Sequence, residues 1–483
     1  MHPRGIQQVF GLLLIVFSFT MLPPAAVSLF YADGAASAFT VGFALTLATG
    51  LALWLPVRKG LVDLGVRDGF LIVALFWVVL GLFGALPLLV SHAPLLTVTD
   101  AVFESLSGLT TTGATILTDI DQLPPGILFY RQQLQWLGGM GIIVLAVAVL
   151  PMLGIGGMQL YRAEIAGPLK NARLTARITE TAKALWYIYL GLTVVCAIAY
   201  AVAGMSLFDA ISHAFSTVAI GGFSTHDASI GYFQSAAIEA VAVVFMVLAG
   251  VNFALHFNAL QQLSLRPYSR DAEFVAYLFI LVVVSLTCVL ALWVTGAAGN
   301  PQEAVRQGVF QAVSIGTTTG FTTAPFFAWP GALPILLLLT SFIGACAGST
   351  GGGIKVIRAL MLYRQGLREV LQLIHPHALI SVKVGREALP NRVIESVWGF
   401  FAVYVVTFTA MYLAMAAFEG DLVTAFSAVA ACMNNLGPGL GEVGSNFASI
   451  STPGKWVLCF AMLLGRLEVF TLLVLLSPAF WRS

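Results

Sequence analysis

Charged residues are scarce in this sequence. Asp, Glu, Lys and Arg make up only 9% of the 483 residues, whereas they make up about 25% of an average soluble domain. Hydrophobic residues reach 59%, and the mean hydropathy is +0.93. This composition excludes a water-soluble domain with a charged surface. We expect a polytopic membrane protein without a nucleic-acid partner.

Cysteine is also rare. The five cysteines lie far apart in apolar segments, and no two of them have the CxxC spacing. Disulfides and thiolate metal sites are therefore not expected. The HPH stretch at His375 and His377 lies in a basic loop, and we interpret it as solvated surface rather than as a metal site.

Long apolar runs, in contrast, recur along the chain. A helix of about twenty apolar residues crosses a hydrocarbon core about 30 Å thick. The first run follows Arg4 as a signal peptide would, but it continues to Phe30 and so predicts an uncleaved anchor. The predicted spans are residues 8–30, 36–56, 69–90, 128–153, 184–204, 234–260, 273–296, 331–360, 393–417 and 455–477.

Basic residues lie almost entirely on one side of this predicted topology. Of the 23 Lys and Arg, only Arg131, Arg306 and Lys455 fall on the opposite side, and Arg466 falls inside the last span. The positive-inside rule therefore predicts that both termini are cytoplasmic. The outer side is rich in Asp and Glu, which would gather cations.

One polar segment occurs in four copies, each between two predicted spans. The copies read DAVFESLSGLTTTG from Asp100, DAISHAFSTVAIGG from Asp209, QGVFQAVSIGTTTG from Gln307 and TAFSAVAACMNNLG from Thr424. Each begins with a helix-compatible stretch too short to cross a membrane and ends at Thr, Asn and Gly. Irregular backbone at membrane depth must be buried in protein or line an aqueous path. The four loops are therefore predicted to meet around one axis.

The composition of these loops favours cation coordination by the backbone. Glycine reaches backbone conformations that a Cβ disfavours, and rings of carbonyl oxygens can replace the hydration shell of an alkali cation. A polar kink between packed spans would explain one such loop better than it explains four in register. The predicted ligands are the backbone carbonyls of Thr111, Thr112, Gly113, Ile220, Gly221, Gly222, Thr318, Thr319, Gly320, Asn435, Leu436 and Gly437.

A second glycine-rich stretch, GACAGSTGGGIK at residues 344–355, interrupts the predicted span 331–360. Its Gly, Ser and Thr residues form helix poorly, and it lacks the GK[ST] order of a phosphate-binding loop. We interpret it as a hinge or plug beneath the four loops, with a simple helix kink as the alternative. The glycines assigned to this gating role are Gly344, Gly348, Gly351, Gly352 and Gly353.

Arg466 is predicted near the centre of the last span. A base at that depth is costly unless it faces protein or water, so it is a candidate functional residue. Glu468 is two residues away and would not share its helix face. A barrier to cations and a structural tie between helices are both open interpretations.

Together these features resemble the Trk/Ktr/HKT superfamily of potassium transporters, and its TrkH branch in particular. The resemblance covers essentially the whole chain and rests on the four loops, the two spans before the first copy, GACAGSTGGGIK and Arg466. It implies an all-α polytopic fold, with four repeats of span, pore helix, loop and span around a central pore and two extra N-terminal helices. The corresponding domains are residues 1–65, 66–160, 161–265, 266–370 and 371–483.

The resemblance also carries functional expectations. It implies potassium uptake across the bacterial inner membrane, with K⁺ as substrate, no organic cofactor and no enzymatic activity. In the family, Gly in all four loops goes with potassium preference, and the glycine-rich stretch and Arg466 belong to the gate, Arg466 being held by carbonyls of that stretch. The fourth loop, NNLG, departs from the TTTG form. The implied partners are a TrkA-like cytosolic nucleotide-binding ring, a second copy of the chain and membrane lipid.

Other functions compete with this interpretation. A secondary transporter of another cation or a small solute would also use broken helices, but usually in two inverted halves. A membrane enzyme needs converging acids, bases or metal ligands, and the sequence predicts none. A passive channel and transport coupled to H⁺ or Na⁺ both agree with the sequence.

Overall fold

The computed structural model describes residues 2–58, 65–141, 178–378, 380–385 and 387–482. In this part of the chain nearly all regular structure is helical, and the only strands are a two-residue antiparallel pair, β1 (Lys383–Val384) and β2 (Glu387–Ala388). The predicted all-α fold is confirmed. The basic loop at residues 161–177 and the second half of the predicted span 128–153 lie outside the described residues.

Six segments in the described ranges are long and apolar enough to cross a membrane. Two of them consist of a helix continued after a short break. They confirm six of the predicted spans. The segments are α1–α2 (Pro3–Phe19 and Leu22–Tyr31), α3 (Ala36–Trp54), α4–α5 (Val66–Gly84 and Leu86–Val90), α8 (Ile178–Val202), α13 (Ala272–Thr295) and α17 (Asn391–Glu419).

Four shorter helices coincide with the first parts of the four sequence copies, and we call them the half-helices. Each starts at a capping side chain, Thr97, Ser206, Asn300 or Asp421, whose oxygen accepts a hydrogen bond from a backbone N–H of the first turn. The half-helices are α6 (Val98–Leu109), α9 (Leu207–Ala219), α14 (Pro301–Gly316) and α18 (Leu422–Met433).

Two predicted spans, 234–260 and 455–477, are not straight, and each consists of two helices joined at a sharp bend. Helices α10 (Ala236–Ala249) and α11 (Phe253–Gln262) meet at 94°, and α19 (Thr452–Arg466) and α20 (Phe470–Leu476) meet at 116°. At the first break Asn252 caps a new helix by accepting a hydrogen bond from the Ala254 N–H at 2.8 Å.

The remaining helices complete the chain order. The predicted span 331–360 is α15 (Leu333–Ile343), an irregular stretch and α16 (Val356–Ile374), as the glycine-rich sequence indicates. Helix α7 (Pro125–Gly139) is the described part of the predicted span 128–153. Two further short helices are α12 (Arg266–Arg270) and α21 (Pro478–Trp481). The described 3₁₀ turns are Leu55–Val57, Ile120–Gln122, Ser229–Phe233, Phe326–Ala328 and Gly441–Val443.

The helices close into a ring. The helix that follows each loop packs against the half-helix of the next copy: α7 against α9, α10 against α14, α15 against α18, and α19 back against α6. Because the fourth copy contacts the first, the C-terminal ends of the four half-helices converge on one central region.

Candidate functional site

The four loops after the half-helices share one backbone conformation. We call residues 110–113, 219–222, 317–320 and 434–437 central loops 1 to 4. In each, the second residue and the final glycine have positive φ, while the residue between them does not. Thr and Ile rarely adopt positive φ, and such strain is often found at functional sites. The φ values are 56°, 54°, 67° and 51° at Thr111, Ile220, Thr318 and Asn435, and 78°, 81°, 82° and 98° at Gly113, Gly222, Gly320 and Gly437.

The final glycine of each central loop lies against a backbone carbonyl of the next loop. A Cβ placed on these glycines would overlap or crowd that oxygen, so a side chain would push the two loops apart. The contacts run from loop 1 to 2, 2 to 3, 3 to 4 and 4 to 1. The distances from the added Cβ to the oxygen are 2.0 Å for Gly113 to Gly221, 2.0 Å for Gly222 to Thr319, 2.0 Å for Gly320 to Leu436 and 2.9 Å for Gly437 to Thr112.

All twelve residues predicted as ion ligands therefore belong to one closed ring of backbone. The polar side chains around that ring are buried, and none of the residues in the four loops is charged. A ring of this kind offers uncharged oxygen atoms without a fixed carboxylate, the arrangement that rings of filter carbonyls use for alkali cations.

The half-helices also hold the chain that follows each loop. The buried Glu104 carboxylate accepts hydrogen bonds from the Ile116 N–H at 3.0 Å and from Arg131 Nε at 2.7 Å. At the equivalent position in the second copy, His213 Nε2 is 2.9 Å from Ser224 Oγ. Glu104 and His213 therefore hold the chain that follows loops 1 and 2.

The third and fourth copies do the same with other side chains. Gln311 Nε2 donates to the Ala324 carbonyl at 3.2 Å. Ala428 has no polar group, and the neighbouring Ser427 hydroxyl instead bonds both the N–H and the carbonyl of Leu440 at 2.9 Å. Each half-helix is thereby tied to the chain on the far side of its glycine, through the Ser224 hydroxyl in the second copy and through backbone groups in the other three.

The glycine-rich segment, residues 344–355, lies directly against the central loops. The Gly352 N–H donates to Thr318 Oγ1 at 2.7 Å, and the Gly353 N–H donates to the Asn434 carbonyl at 3.2 Å. A Cβ on Gly352 would lie 2.0 Å from that same carbonyl, and one on Gly351 would lie 3.0 Å from the Thr317 carbonyl. This close packing requires glycine.

The segment also turns sharply at three of its predicted gating glycines. The φ angles are 69° at Gly344, 73° at Gly348 and 75° at Gly353, in the region that side chains disfavour. A Cβ on Gly344 would meet the Gly352 carbonyl at 2.2 Å. The segment is therefore folded back on itself beneath loops 3 and 4 rather than extended as a kinked helix.

Arg466 joins this segment to the first copy. Its guanidinium donates to the Thr350 carbonyl at 3.2 Å, to Thr111 Oγ1 at 3.1 Å and to the Gly138 carbonyl at 2.6 Å. The expected carbonyl partner in residues 344–353 is present. Arg466 is the last residue of α19 and lies at the 116° bend between α19 and α20, rather than within one straight helix.

Some contacts in this region were not predicted. Glu273, at the start of α13, is buried, and its Oε1 accepts from the Ala347 N–H at 2.7 Å and from the Ile357 N–H at 3.2 Å. It thus ties the glycine-rich segment to the first turn of α16, the helix that follows it. An acidic residue in a first helical turn is typical of ordinary stabilisation of a helix N-terminus, so no local sequence pattern indicates this role.

Arg131 was expected among the outer-side bases, but it is 1% exposed. Besides its contact with Glu104, it donates to the Ser224 carbonyl at 3.2 Å, and its guanidinium lies over the Phe223 ring at 4.2 Å. It is therefore a buried link between the first and second copies rather than a surface charge.

A histidine, His226, joins the first two copies. His226 Nδ1 is 2.5 Å from Asp121, and its Nε2 is 3.4 Å from Asp209. Burial alone would lower the pKa of His226, but the hydrogen bonds and charges of the two carboxylates outweigh it and raise that pKa above its ordinary value. The imidazole stacks on Tyr232 at 3.5 Å between ring centres.

Comparison with known proteins places the chain among transporters. The family model for TrkH, described as a cation transport protein, matches residues 35–483. The chain is 57% identical over 485 residues to the Trk system potassium uptake protein TrkH of Vibrio parahaemolyticus. It is 55% identical over 483 residues to the protein of that name in Escherichia coli. Both alignments cover 100% of each chain.

A solved structure shows the same fold. The crystal structure of the potassium transporter TrkH from Vibrio parahaemolyticus matches with a TM-score of 0.91 at 55% sequence identity, covering 100% of both chains. A further relative, the Trk system potassium uptake protein TrkG of Escherichia coli, is 41% identical over 482 residues, which are 100% of this chain and 99% of TrkG.

Proposed function

The chain belongs to the TrkH family of cation transport proteins, and from this premise we propose that it takes up potassium through the ring of central loops. The observation that carries the proposal is the cyclic contact between each final glycine and a carbonyl of the next loop. A closed ring with no side chain at the glycines leaves the backbone oxygens to replace the water around a cation.

The helices around the ring favour a cation there. Each of the four half-helices ends immediately before its central loop, and the C-terminal end of a helix carries a partial negative charge of about half an elementary charge. Four such ends directed at one buried region attract a cation without binding it as tightly as a carboxylate would. This supports conduction rather than storage of the ion.

We further propose that the glycine-rich segment is the gate. It contacts loops 3 and 4 directly, and Arg466 ties it to loop 1 while placing a fixed positive charge beside the ring. A cation leaving the ring would meet both the packed segment and that charge. Moving the segment away would remove the obstruction without changing the ring itself.

The proposal also covers the membrane in which the protein lies, its orientation and its partners. The name Trk system, which the relatives carry, supports partner components. We propose from the family resemblance a bacterial inner-membrane location, a cytosolic nucleotide-binding partner of the TrkA type and a dimer. The Lys and Arg bias of the loops supports cytoplasmic termini. Basic segments on that side, such as residues 355–392, would face the partner or anionic lipid.

Flux measurements test the function. Purified protein in liposomes of phosphatidylethanolamine and phosphatidylglycerol should take up radioactive rubidium, a potassium substitute, and excess potassium should compete more strongly than sodium. A labelled amino acid should not enter. Uptake of the amino acid, or rubidium uptake equal to that of empty liposomes with and without a nucleotide-binding partner, would contradict the proposal.

A further inference from the structure

Central loop 2 is built differently from loops 1 and 3. In loop 1 the hydroxyls of Thr110 and Thr112 are 2.8 Å apart, and in loop 3 those of Thr317 and Thr319 are 2.7 Å apart. Each of these loops thus braces itself with its own side chains. Loop 2 reads AIGG, so Ala219 and Gly221 occupy the two equivalent positions and no hydroxyl pair can form.

A glutamine from a neighbouring helix supplies the missing brace. Gln135 of α7 is fully buried, and its Nε2 donates to the Gly221 carbonyl at 2.6 Å. Its Oε1 accepts from the Phe223 N–H at 3.1 Å. The carboxamide therefore hydrogen-bonds the backbone on both sides of Gly222, the final glycine of the loop.

The missing side chain at Gly221 is explained by the same contact. The φ angle of Gly221 is not positive, so the backbone there would accept a Cβ. A Cβ at this position would nevertheless lie 2.4 Å from Gln135 Cδ. Gly221 and Gln135 are thus complementary: the glycine leaves space that the carboxamide fills.

The effect of this brace reaches the next loop. The Gly221 carbonyl that Gln135 holds is the oxygen that lies against Gly113, where a Cβ would be 2.0 Å away. Any rotation of that carbonyl changes the spacing between loops 1 and 2. The position of loop 2 in the ring therefore depends on Gln135, which belongs to neither loop 1 nor loop 2.

We propose that Gln135 is a selectivity-determining positioning residue, which fixes the Gly221 carbonyl and hence the spacing of loops 1 and 2. This proposal rests on the proposed potassium function of the ring. A ring that discriminates between K⁺ and Na⁺ must hold its oxygens at a defined separation. Losing the brace should admit Na⁺ more readily, whereas a merely structural residue would change protein yield and leave the ion ratio as it is.

The first test compares Gln135→Leu with Gln133→Leu. Gln133 is a matched control because it lies on the same helix, is also buried and donates to the Thr20 carbonyl at 2.6 Å, away from the loops. The measurement is the ratio of rubidium to sodium uptake by purified, monodisperse protein in liposomes. We expect the ratio to fall about three- to tenfold in Gln135→Leu and to stay at the parent value in Gln133→Leu.

A second test approaches the contact from the loop and applies even if Gln135→Leu fails to fold. Gly221→Ala should lower the ratio by displacing the carboxamide, and Gln135→Ala should lower it by removing the brace. The double variant should be no worse than Gln135→Ala, since the space is then vacant, so the two effects should be non-additive.

The proposal is overturned if folded Gln135→Leu keeps the parent ratio, if Gln133→Leu loses as much selectivity, or if the Gly221 and Gln135 effects simply add. These outcomes are distinct from failure of the potassium function. If the potassium function itself failed, the parent protein would take up no rubidium or would show no preference for rubidium over sodium.

Discussion

At the scale of single residues, the central glycines meet two separate demands. Each has a positive φ, and each lies where a Cβ would crowd a carbonyl of the next loop. The first demand makes other residues costly, and the second makes them disruptive whatever backbone they adopt. Glycine in all four loops therefore follows from the geometry of the ring as well as from the resemblance.

Gly113→Ser tests the second demand. The serine Cβ would lie against the Gly221 carbonyl and widen the ring between loops 1 and 2, so we expect the rubidium-to-sodium uptake ratio to fall about tenfold. Gly296→Ser is the matched control, because Gly296 has a φ of 66° and open space around its added Cβ. Equal selectivity in the two variants would argue against a role of Gly113 in lining the path.

At the scale of elements, the glycine-rich segment is held from two sides. Its glycines contact the central loops on one side, while Glu273 of α13 accepts hydrogen bonds from Ala347 within the segment and from Ile357 in the first turn of α16. The segment is thus a non-helical stretch held in place by α13 and by the central loops. Such an element can move as a unit when its few ties are weakened.

Glu273→Gln tests the clamp. The substitution replaces a carboxyl oxygen with an NH₂ group beside two backbone N–H donors, so it should loosen the segment and raise basal rubidium uptake about three- to tenfold. Glu395→Gln is the control, since Glu395 is an exposed residue near the start of α17. A Glu273→Gln protein that conducts no more than the parent would show that this carboxylate does not hold the gate closed.

The first two copies also contact each other through His226, and the strength of this contact should depend on pH. Because the pKa of His226 is raised in the folded protein, protonation stabilises the contact with Asp121 and Asp209. That stabilisation is fully present below the ordinary histidine pKa of about 6.5 and is lost as the pH rises through the raised value. The neighbouring His213, Tyr232 and Asp227 complete the titratable surroundings of this imidazole.

We expect His226→Gln to remove this component of the pH dependence of thermal stability. The effect should be below about 1 kcal/mol, because the Asp121 side chain is partly exposed to solvent. His92→Gln, at an exposed outer position, serves as the control. If parent and His226→Gln melt with the same pH profile, the imidazole does not stabilise the contact through its charge.

At the scale of the whole molecule, Arg466 connects parts that are distant in sequence. It bonds Gly138 after the first loop, Thr111 within that loop and Thr350 in the glycine-rich segment. The ring and the segment below it are thereby linked through one charged side chain. A movement of the segment can therefore shift the Arg466 charge beside the ring without altering the contacts between the final glycines and the neighbouring loops.

Arg466→Ala should therefore change rate more than selectivity. Removing the charge and the tie to Thr350 should raise basal rubidium uptake severalfold without a partner protein, while the rubidium-to-sodium ratio stays near the parent value. Shortening the glycine-rich segment should act in the same direction. Arg364→Ala is the control, because the Arg364 guanidinium bonds the Lys383 carbonyl through an exposed hydrogen bond.

Two outcomes would contradict this prediction. If folded Arg466→Ala conducts no more than the parent, Arg466 is a structural tie between helices. If its extra flux does not discriminate between rubidium and sodium, Arg466 supports the ring rather than the gate.

The sequence by itself determined the class of the protein and the elements of its site. Low charge and long apolar runs specify a membrane protein because those properties are local. The four copies and their glycines were recognisable because each occupies a short continuous stretch. The break at residues 344–355 was predictable for the same reason, since Gly, Ser and Thr disfavour helix wherever they cluster.

The tertiary structure alone decided how these elements meet. Gln135 and Gly221 are 86 residues apart, and Arg466 and Thr111 are 355 apart, so no local pattern marks them as partners. The same holds for Glu273, which resembles an ordinary first-turn acid until α13 packs beside the segment. Hydropathy and spacing describe one stretch at a time, whereas the position of each carbonyl in the ring depends on side chains contributed by neighbouring repeats.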